Sequence, residues 1–184
     1  MVILASGSPR RRERMKYIVD NYKIITSDIN EEKSYSMPPL EAVLDIAKRK
    51  GMKIHEQYPD DVVLSADTIV VLDNQIIGKP VDEKDAKRLL KLLSNKTHTV
   101  ITAYCWFKKD VLIENYVKSE VKFHPLSDEF IDAYIKTGSP LDKAGAYGVQ
   151  DKESPQIIEK VIGSVDNVIG FPIKEIKEDY EKIK

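Results

Sequence analysis

Val2-Ile-Leu-Ala-Ser-Gly-Ser-Pro-Arg-Arg-Arg-Glu-Arg14 sets the fold class. Val2 to Ala5 reads as a short buried strand and Ser6 to Pro9 as a turn. Proline suits the first turn of a helix, where its missing N–H would have no partner anyway, so a helix runs from Pro9 to about Asn21. Strand, loop and helix in that order open an α/β fold, and the alternation continues outward. Tyr22 to Thr26 predicts a second strand. Polar residues from Ser27 to Pro39 then interrupt all periodicity before a helix from about Pro39 to His55, which turns Leu40, Val43, Leu44 and Ala47 inward. β-Rich runs at Val62 to Ala66 and Ile69 to Leu72 flank Asp67-Thr68, and Asp73-Asn74 has the chemistry of a hairpin turn into Gln75 to Ile77.

Ala86, Leu89, Leu90 and Leu93 recur at helical spacing within Asp82 to Leu93. Thr97 to Phe123 predicts three β segments, divided at Lys109-Asp110 and near Lys118. Ser127 caps a helix with Phe130, Ala133 and Tyr134 inward and Gly138 at its end. A glycine-rich loop, Asp142 to Gln150, leads to a strand near Ile157 to Val161 and a turn at Gly163-Ser164. A last helix from Pro172 carries Ile173, Ile176, Tyr180 and Ile183. No repeat, low-complexity tract or long linker divides the chain, so residues 1–184 read as one two-lobed domain.

Composition excludes several classes. With 184 residues, 42% hydrophobic and 32% charged, the chain can bury a core of its own. Its 29 Lys plus Arg against 30 Asp plus Glu leave a net charge of -1, with no global basic excess for coating nucleic acid or adsorbing to a membrane. Any anion site is therefore local. The lone Cys105 rules out an intrachain disulfide and a cysteine-based zinc cluster, and with three scattered histidines it leaves oxygen-rich metal sites. A reducing, cytoplasmic setting fits. No apolar run approaches the roughly 18 to 20 residues that span a bilayer, and the N-terminal charges follow a short apolar stretch instead of preceding a longer one, unlike an export signal.

Several segments have chemistry to offer. In Ser6 to Arg11, free N–H groups at a helix start, two hydroxyls and two guanidinium groups can converge on a phosphate; a surface helix with a basic face is the plainer alternative. Neither a Walker loop nor a dinucleotide fingerprint is present. Asp67 interrupts a β-rich run, where a carboxylate needs a cation, a hydrogen-bond partner or solvent. It is either a Mg²⁺ ligand or a base for water, with the Thr68 hydroxyl beside it, or an edge-strand aspartate in solvent. Lys79, between Gly78 and Pro80, is a fixed phosphate-neutralising cation or part of a plain turn. Glu31 and Glu32 lie in the aperiodic segment and Lys50 at a basic helix end; solvation explains all three by default. Gln150 closes the glycine-rich loop with an amide that both donates and accepts, which suits a pyrimidine edge.

Taken together, Leu4-Ala-Ser-Gly-Ser-Pro-Arg-Arg11, Ser65-Ala-Asp-Thr-Ile-Val70, Gly78-Lys-Pro80 and Asp142-Lys-Ala-Gly-Ala-Tyr-Gly-Val-Gln150 resemble, in order, the blocks of the Maf family of nucleotide pyrophosphatases. The likeness runs on to Val168-Ile-Gly-Phe-Pro172. It implies a mixed twisted sheet flanked by helices, in two lobes around a central cleft, as in Maf and ITPase-like folds. It also implies hydrolysis of a nucleoside triphosphate to monophosphate and pyrophosphate with a divalent cation, Mg²⁺ or Mn²⁺, in a house-cleaning role. By the same resemblance Asp67 is the catalytic base, Ser8, Arg10, Arg11, Lys50 and Lys79 handle phosphate, and Glu31 matches the family's loop glutamate better than Glu32 does. Glu31 and Asp67 are expected to hold the cation. Arg10, Thr68 and Gln150 map onto positions tied to substrate choice, and the block ending in Gln150 implies a preference for dTTP and UTP. A homodimer is implied too. One departure stands out: a glycine commonly follows that glutamine, and here Asp151 is expected to add negative charge beside a polyanion's pocket.

Two other readings compete. A nucleotide-sensing regulator linked to cell division would bind without turnover. RNA binding through Arg10 to Lys16 lacks interleaved aromatics beyond Tyr17 and any RNA-binding motif, so no nucleic-acid partner is expected.

Overall fold

A computed structural model describes residues 1–184. The chain opens with β1 (Val2–Leu4), α1 (Pro9–Met15), β2 (Lys23–Ile24), α2 (Pro39–His55), β3 (Val62–Leu72), β4 (Gln75–Ile77) and α3 (Glu83–Leu93). It continues with β5 (Thr97–Lys108), β6 (Val111–Phe123), α4 (Asp128–Lys136), α5 (Ser154–Ile157), β7 (Ile158–Ile162), α6 (Val165–Ile169) and α7 (Ile173–Ile183). All the strands join one seven-stranded mixed sheet, ordered β2-β1-β3-β5-β6-β7 with β4 paired to β3. β1 is parallel to β2 and β3; the remaining pairings are antiparallel.

Alternation along the strands sends successive side chains to opposite faces. Leu64 and Trp106 join Leu4, Met15, Phe171 and Ile176 in a core under α1 and α7. Val63 and Phe107 join Ile3, Val43 and Ala47 in another under α2. Farther along the same strands, Val70 and Val100 belong to a third core with Leu90, Phe123 and Tyr134, covered by α3 and α4. The long strands thus run through both lobes, and the cleft lies across their middle.

One edge of β3 is shared. β5 pairs with Val63 to Val71 on one side. On the other, β1 covers Val62 to Leu64 and β4 covers Val70 to Leu72. Residues 65–69 therefore have no strand beside them on that edge, and Asp67 sits at the centre of the gap. The Asp73-Asn74 hairpin forms as expected, both residues at positive φ (49° and 61°), as the hand of such a turn requires.

Several boundaries differ from the sequence reading. α1 stops at Met15 instead of near Asn21, because the chain turns there and the Tyr22 hydroxyl donates to the Arg12 carbonyl, meeting one acceptor at the helix end. β2 keeps two residues of the expected five, the register of its short partner β1 allowing no more. The runs either side of Asp67-Thr68 form one strand, since pairing with β5 is unbroken there. Likewise no break occurs near Lys118, and Thr97 to Phe123 makes two strands, not three. α4 buries Ile131, Tyr134 and Ile135, leaving Ala133 exposed and Phe130 half-buried. β7 begins at Ile158 because α5 takes the preceding residues.

Candidate active site

The gap in the β3 edge opens into a cleft of about 1300 Å³. Ser8, Arg10, Arg11, Glu31, Lys50, Asp67, Thr68, Lys79 and Gln150 all line it. They come from the β1–α1 loop, the first turn of α1, the segment before α2, the second half of α2, mid-β3, the loop after β4 and the loop before α5, so the fold gathers residues far apart in sequence.

At the floor, Lys50 Nζ lies 2.7 Å from Glu31 Oε1 and 2.8 Å from Asp67 Oδ1. Its reach depends on Gly51. A Cβ there would fall 2.2 Å from the Phe107 ring and 2.4 Å from Ser65 Oγ, so only glycine lets α2 lie this close to the sheet. The Ser65 hydroxyl, donating to the Ala47 carbonyl at 2.7 Å, fixes the same approach. Asp67 is 8% exposed. Burial pushes its carboxyl above the ordinary carboxylate range, against the opposing pull of Lys50 and Arg11. Burial also pushes Glu31 up, but the hydrogen bond and charge of Lys50, helped by Lys79 and Arg11, outweigh it and hold Glu31 below its ordinary value. Two carboxylates of unlike proton affinity therefore face one ammonium.

The phosphate cradle expected around Ser6 to Arg11 divides in two. Ser6 and Arg11 are committed to the protein. Ser6 Oγ accepts from the Ser8 N–H at 3.3 Å and from Arg11 at 3.5 Å. Arg11 also donates to the carbonyls of Gly170 (3.0 Å) and Ala66 (2.8 Å) and to Thr68 Oγ1 (3.0 Å). The Ala66 carbonyl is one that no strand meets, so the guanidinium substitutes for the missing neighbour of β3. Ser8, by contrast, occupies the N-cap position without making a capping bond, and Arg10 reaches only a distant ion pair with Asp142 at 4.0 Å. Their polar atoms remain for a ligand. Lys79 is exposed at the rim, and Gln150 is exposed at the tip of a turn.

The Thr68 hydroxyl is fully assigned by its neighbours. Thr102 Oγ1 donates to the Asn167 carbonyl at 3.0 Å and so accepts from Thr68 Oγ1 at 2.9 Å. Thr68 has spent its one hydrogen and can only accept, from Arg11. It orients Arg11. Asn167 in turn accepts from the Thr102 N–H (3.1 Å) and donates to the Val100 carbonyl (3.1 Å), its amide standing in for strand backbone and anchoring α6 to β5. Ser6, expected in the cradle, binds within the protein instead, and Gly51, Thr102 and Asn167 escaped the sequence reading. Glycine inside an otherwise regular helix was the one signal that pointed to any of them.

The donor set has a bearing on metal binding. No group of three or more His, Cys, Asp or Glu side chains assembles anywhere in the chain. Glu31 and Asp67 nevertheless converge on a single point, now held by an ammonium. Two hard carboxylates fit Mg²⁺ or Mn²⁺ when phosphate oxygens and water complete the shell.

A mixed α/β sheet with a polar cleft across its middle defines the class, and solved structures share the fold. The Ham1 protein of Staphylococcus aureus superposes with a TM-score of 0.53 at 13% identity, over 100% of this chain and 99% of that one. A HAM1 protein from Coxiella burnetii gives 0.55 at 13% identity, covering 98% of both. At that identity the likeness speaks for fold alone. The chain belongs to the Maf family: the sequence model described as "Maf-like protein" matches residues 1–183. A dTTP/UTP pyrophosphatase of Thermococcus onnurineus is 44% identical over 95% of this chain and 93% of its own length. One from Fusobacterium nucleatum is 45% identical over 99% and 95%.

Proposed function

We propose that this chain is a nucleoside triphosphate pyrophosphatase that hydrolyses dTTP and UTP to the nucleoside monophosphate and pyrophosphate, in a house-cleaning role. The observation that carries the reading is the Glu31–Lys50–Asp67 cluster at the floor of a cleft whose walls bear Ser8, Arg10, Lys79 and Gln150. The full-length relatives of that name support the substrate class.

Asp67 takes a proton from water, for which a carboxyl pushed upward by burial is better suited than an ordinary one. The water oxygen bonds to the α-phosphorus, the bond from that phosphorus to the α–β bridging oxygen breaks, and the bridging oxygen leaves with pyrophosphate. Arg10, Lys50 and Lys79 offset the phosphate charge, and Ser8 donates to a phosphate oxygen. Arg11, held by Thr68, keeps the β3 edge open and shaped. Glu31 and Asp67 would hold a divalent cation, which when bound supplies further charge to offset the polyanion. The Gln150 amide reads the pyrimidine edge. Residues 1–184 act as one domain, since β3, β5 and β6 run through both lobes. The reading includes a cytoplasmic setting, consistent with the buried free thiol of Cys105, and a homodimer on family resemblance; nucleic acid and membrane are not partners.

The test is incubation with Mg²⁺ or Mn²⁺ and a panel of ordinary and modified triphosphates, with products separated by ion exchange. Monophosphate plus pyrophosphate from dTTP or UTP is expected. Diphosphate plus orthophosphate would place the cut at the wrong bond, and tight binding without products would turn the reading to a nucleotide-sensing regulator.

A further inference from the structure

Asp151 lines the cleft, but its carboxylate folds back onto the protein. Its Oδ2 accepts hydrogen bonds from the Tyr134 hydroxyl and, at 2.7 Å, from Ser139 Oγ. The Tyr134 oxygen also accepts from the Gly148 N–H at 3.2 Å, and the Asp151 N–H donates to the Gly148 carbonyl at 3.1 Å. Ser139 Oγ accepts in turn from Lys143 Nζ at 3.0 Å, and that ammonium also donates to the Ser139 carbonyl at 2.6 Å. The carboxylate packs so tightly on Gly148 that a Cβ there would lie 2.8 Å from Oδ1. Residues 148–151 are thus a closed turn, tied to α4 through the buried Tyr134, with Val149 and Gln150 at its tip. Two hydroxyls hold the carboxylate, and the Lys143 ammonium stands one hydrogen bond beyond Ser139.

We propose that Asp151 is a positioning residue that clamps this turn, so that Gln150 meets the base in one orientation and pyrimidine preference follows from it. The proposal rests on the pyrophosphatase reading above for its substrate, though not for its geometry. A glycine at 151 leaves Tyr134 and Ser139 without their shared acceptor and frees the turn. The competent orientation then becomes a fraction of the population, and apparent affinity falls by that fraction.

The experiment compares Asp151→Gly, Asp151→Asn, Tyr134→Phe and the double variant Asp151→Gly with Tyr134→Phe by pyrophosphate release. Amide exchange of residues 147–150 is measured on the same proteins. The glycine variant is expected to raise KM for dTTP and UTP roughly tenfold with kcat within about twofold, and to narrow their advantage over purine triphosphates. Asparagine, whose Oδ1 still accepts from both hydroxyls, should stay within about threefold of the parent. The double variant should be no worse than the worse single one, since both cut the same tie. Faster exchange at 147–150 should accompany the glycine change. A KM that falls or stays put in Asp151→Gly, or an asparagine variant that matches the glycine one, would overturn the clamp. If the parent releases no pyrophosphate from any triphosphate, the functional reading fails, while unchanged exchange in Asp151→Gly would sink the clamp by itself.

Discussion

Arg11→Lys separates a strut from a phosphate ligand. Arg11 places N–H groups on the Gly170 carbonyl, the Ala66 carbonyl, Thr68 Oγ1 and, more distantly, Ser6 Oγ. Lysine keeps the charge but offers three donors from one point, so it cannot span the Ala66 and Gly170 carbonyls and Thr68 together. At least two of the bonds are lost. Hydrogen bonds to a charged donor contribute about 1.5–3 kcal/mol each, which makes the loss roughly 3–6 kcal/mol. For a chain of this size each kcal/mol lowers Tm by about 2–4 °C, so the expected fall is roughly 6–24 °C. Circular dichroism melts, run beside pyrophosphate release, measure both roles. Arg10→Ala is the control: its weak ion pair predicts no change in Tm beyond about 1 °C and a higher KM. A lysine variant that melts with the parent yet loses turnover would refute the strut and return Arg11 to the phosphates.

Asp67→Asn should lower kcat by roughly 10²–10⁴-fold with little change in Tm, because the shape is kept and Lys50 retains Glu31 at 2.7 Å; near-normal turnover would remove Asp67 as the base. Gly51→Ala should destabilise by about 1–3 kcal/mol through overpacking and reduce kcat as α2 and Lys50 move away from the sheet, a loss that denaturant melts and steady-state rates would record together. His98, 2% exposed and hydrogen-bonded to the Tyr147 hydroxyl at 2.7 Å, has its pKa pushed down to about 4 by burial. The unfolded chain therefore binds the extra proton between pH 6.5 and 4, and stability falls by about 3 kcal/mol as pH drops through that window. Asp67, raised by burial, acts in the opposite sense there. His98→Phe should flatten the decline seen in denaturant melts across that range, and an unaltered slope would exclude His98 as its source.

Local patterns made much of the fold legible. α2 occupies the expected residues because its periodicity and flanking proline act within the segment itself, and the hairpin at Asp73-Asn74 likewise answers to two residues. β3 was harder to read. Asp67-Thr68 breaks a β-branched run, and only pairing with β5, a distant partner, carries the strand through. α6, five residues long, left no periodicity to detect; its place is set by Asn167 bonding across to β5. At the site, every residue drawn from the sequence lines one cleft, but sequence alone could not tell which of two adjacent groups faces outward. Ser6 and Arg11 turn into the protein while Ser8 and Arg10 do not, a distinction made by the open β3 edge. Nor could it show that the carboxylate of Asp151 folds back on Tyr134.

The continuous strands constrain how the enzyme can move. At about 3.3 Å per residue, β5 and β6, of 12 and 13 residues, form a stiff beam roughly 40 Å long beneath the cleft. Bending it at the middle would tear the ladder apart. Any adjustment to a bound nucleotide therefore falls to residues 27–35, since the floor is one continuous ladder and the turn at 148–151 is tied to α4. Closure of a loop over substrate belongs to the microsecond-to-millisecond range and leaves the ladder intact.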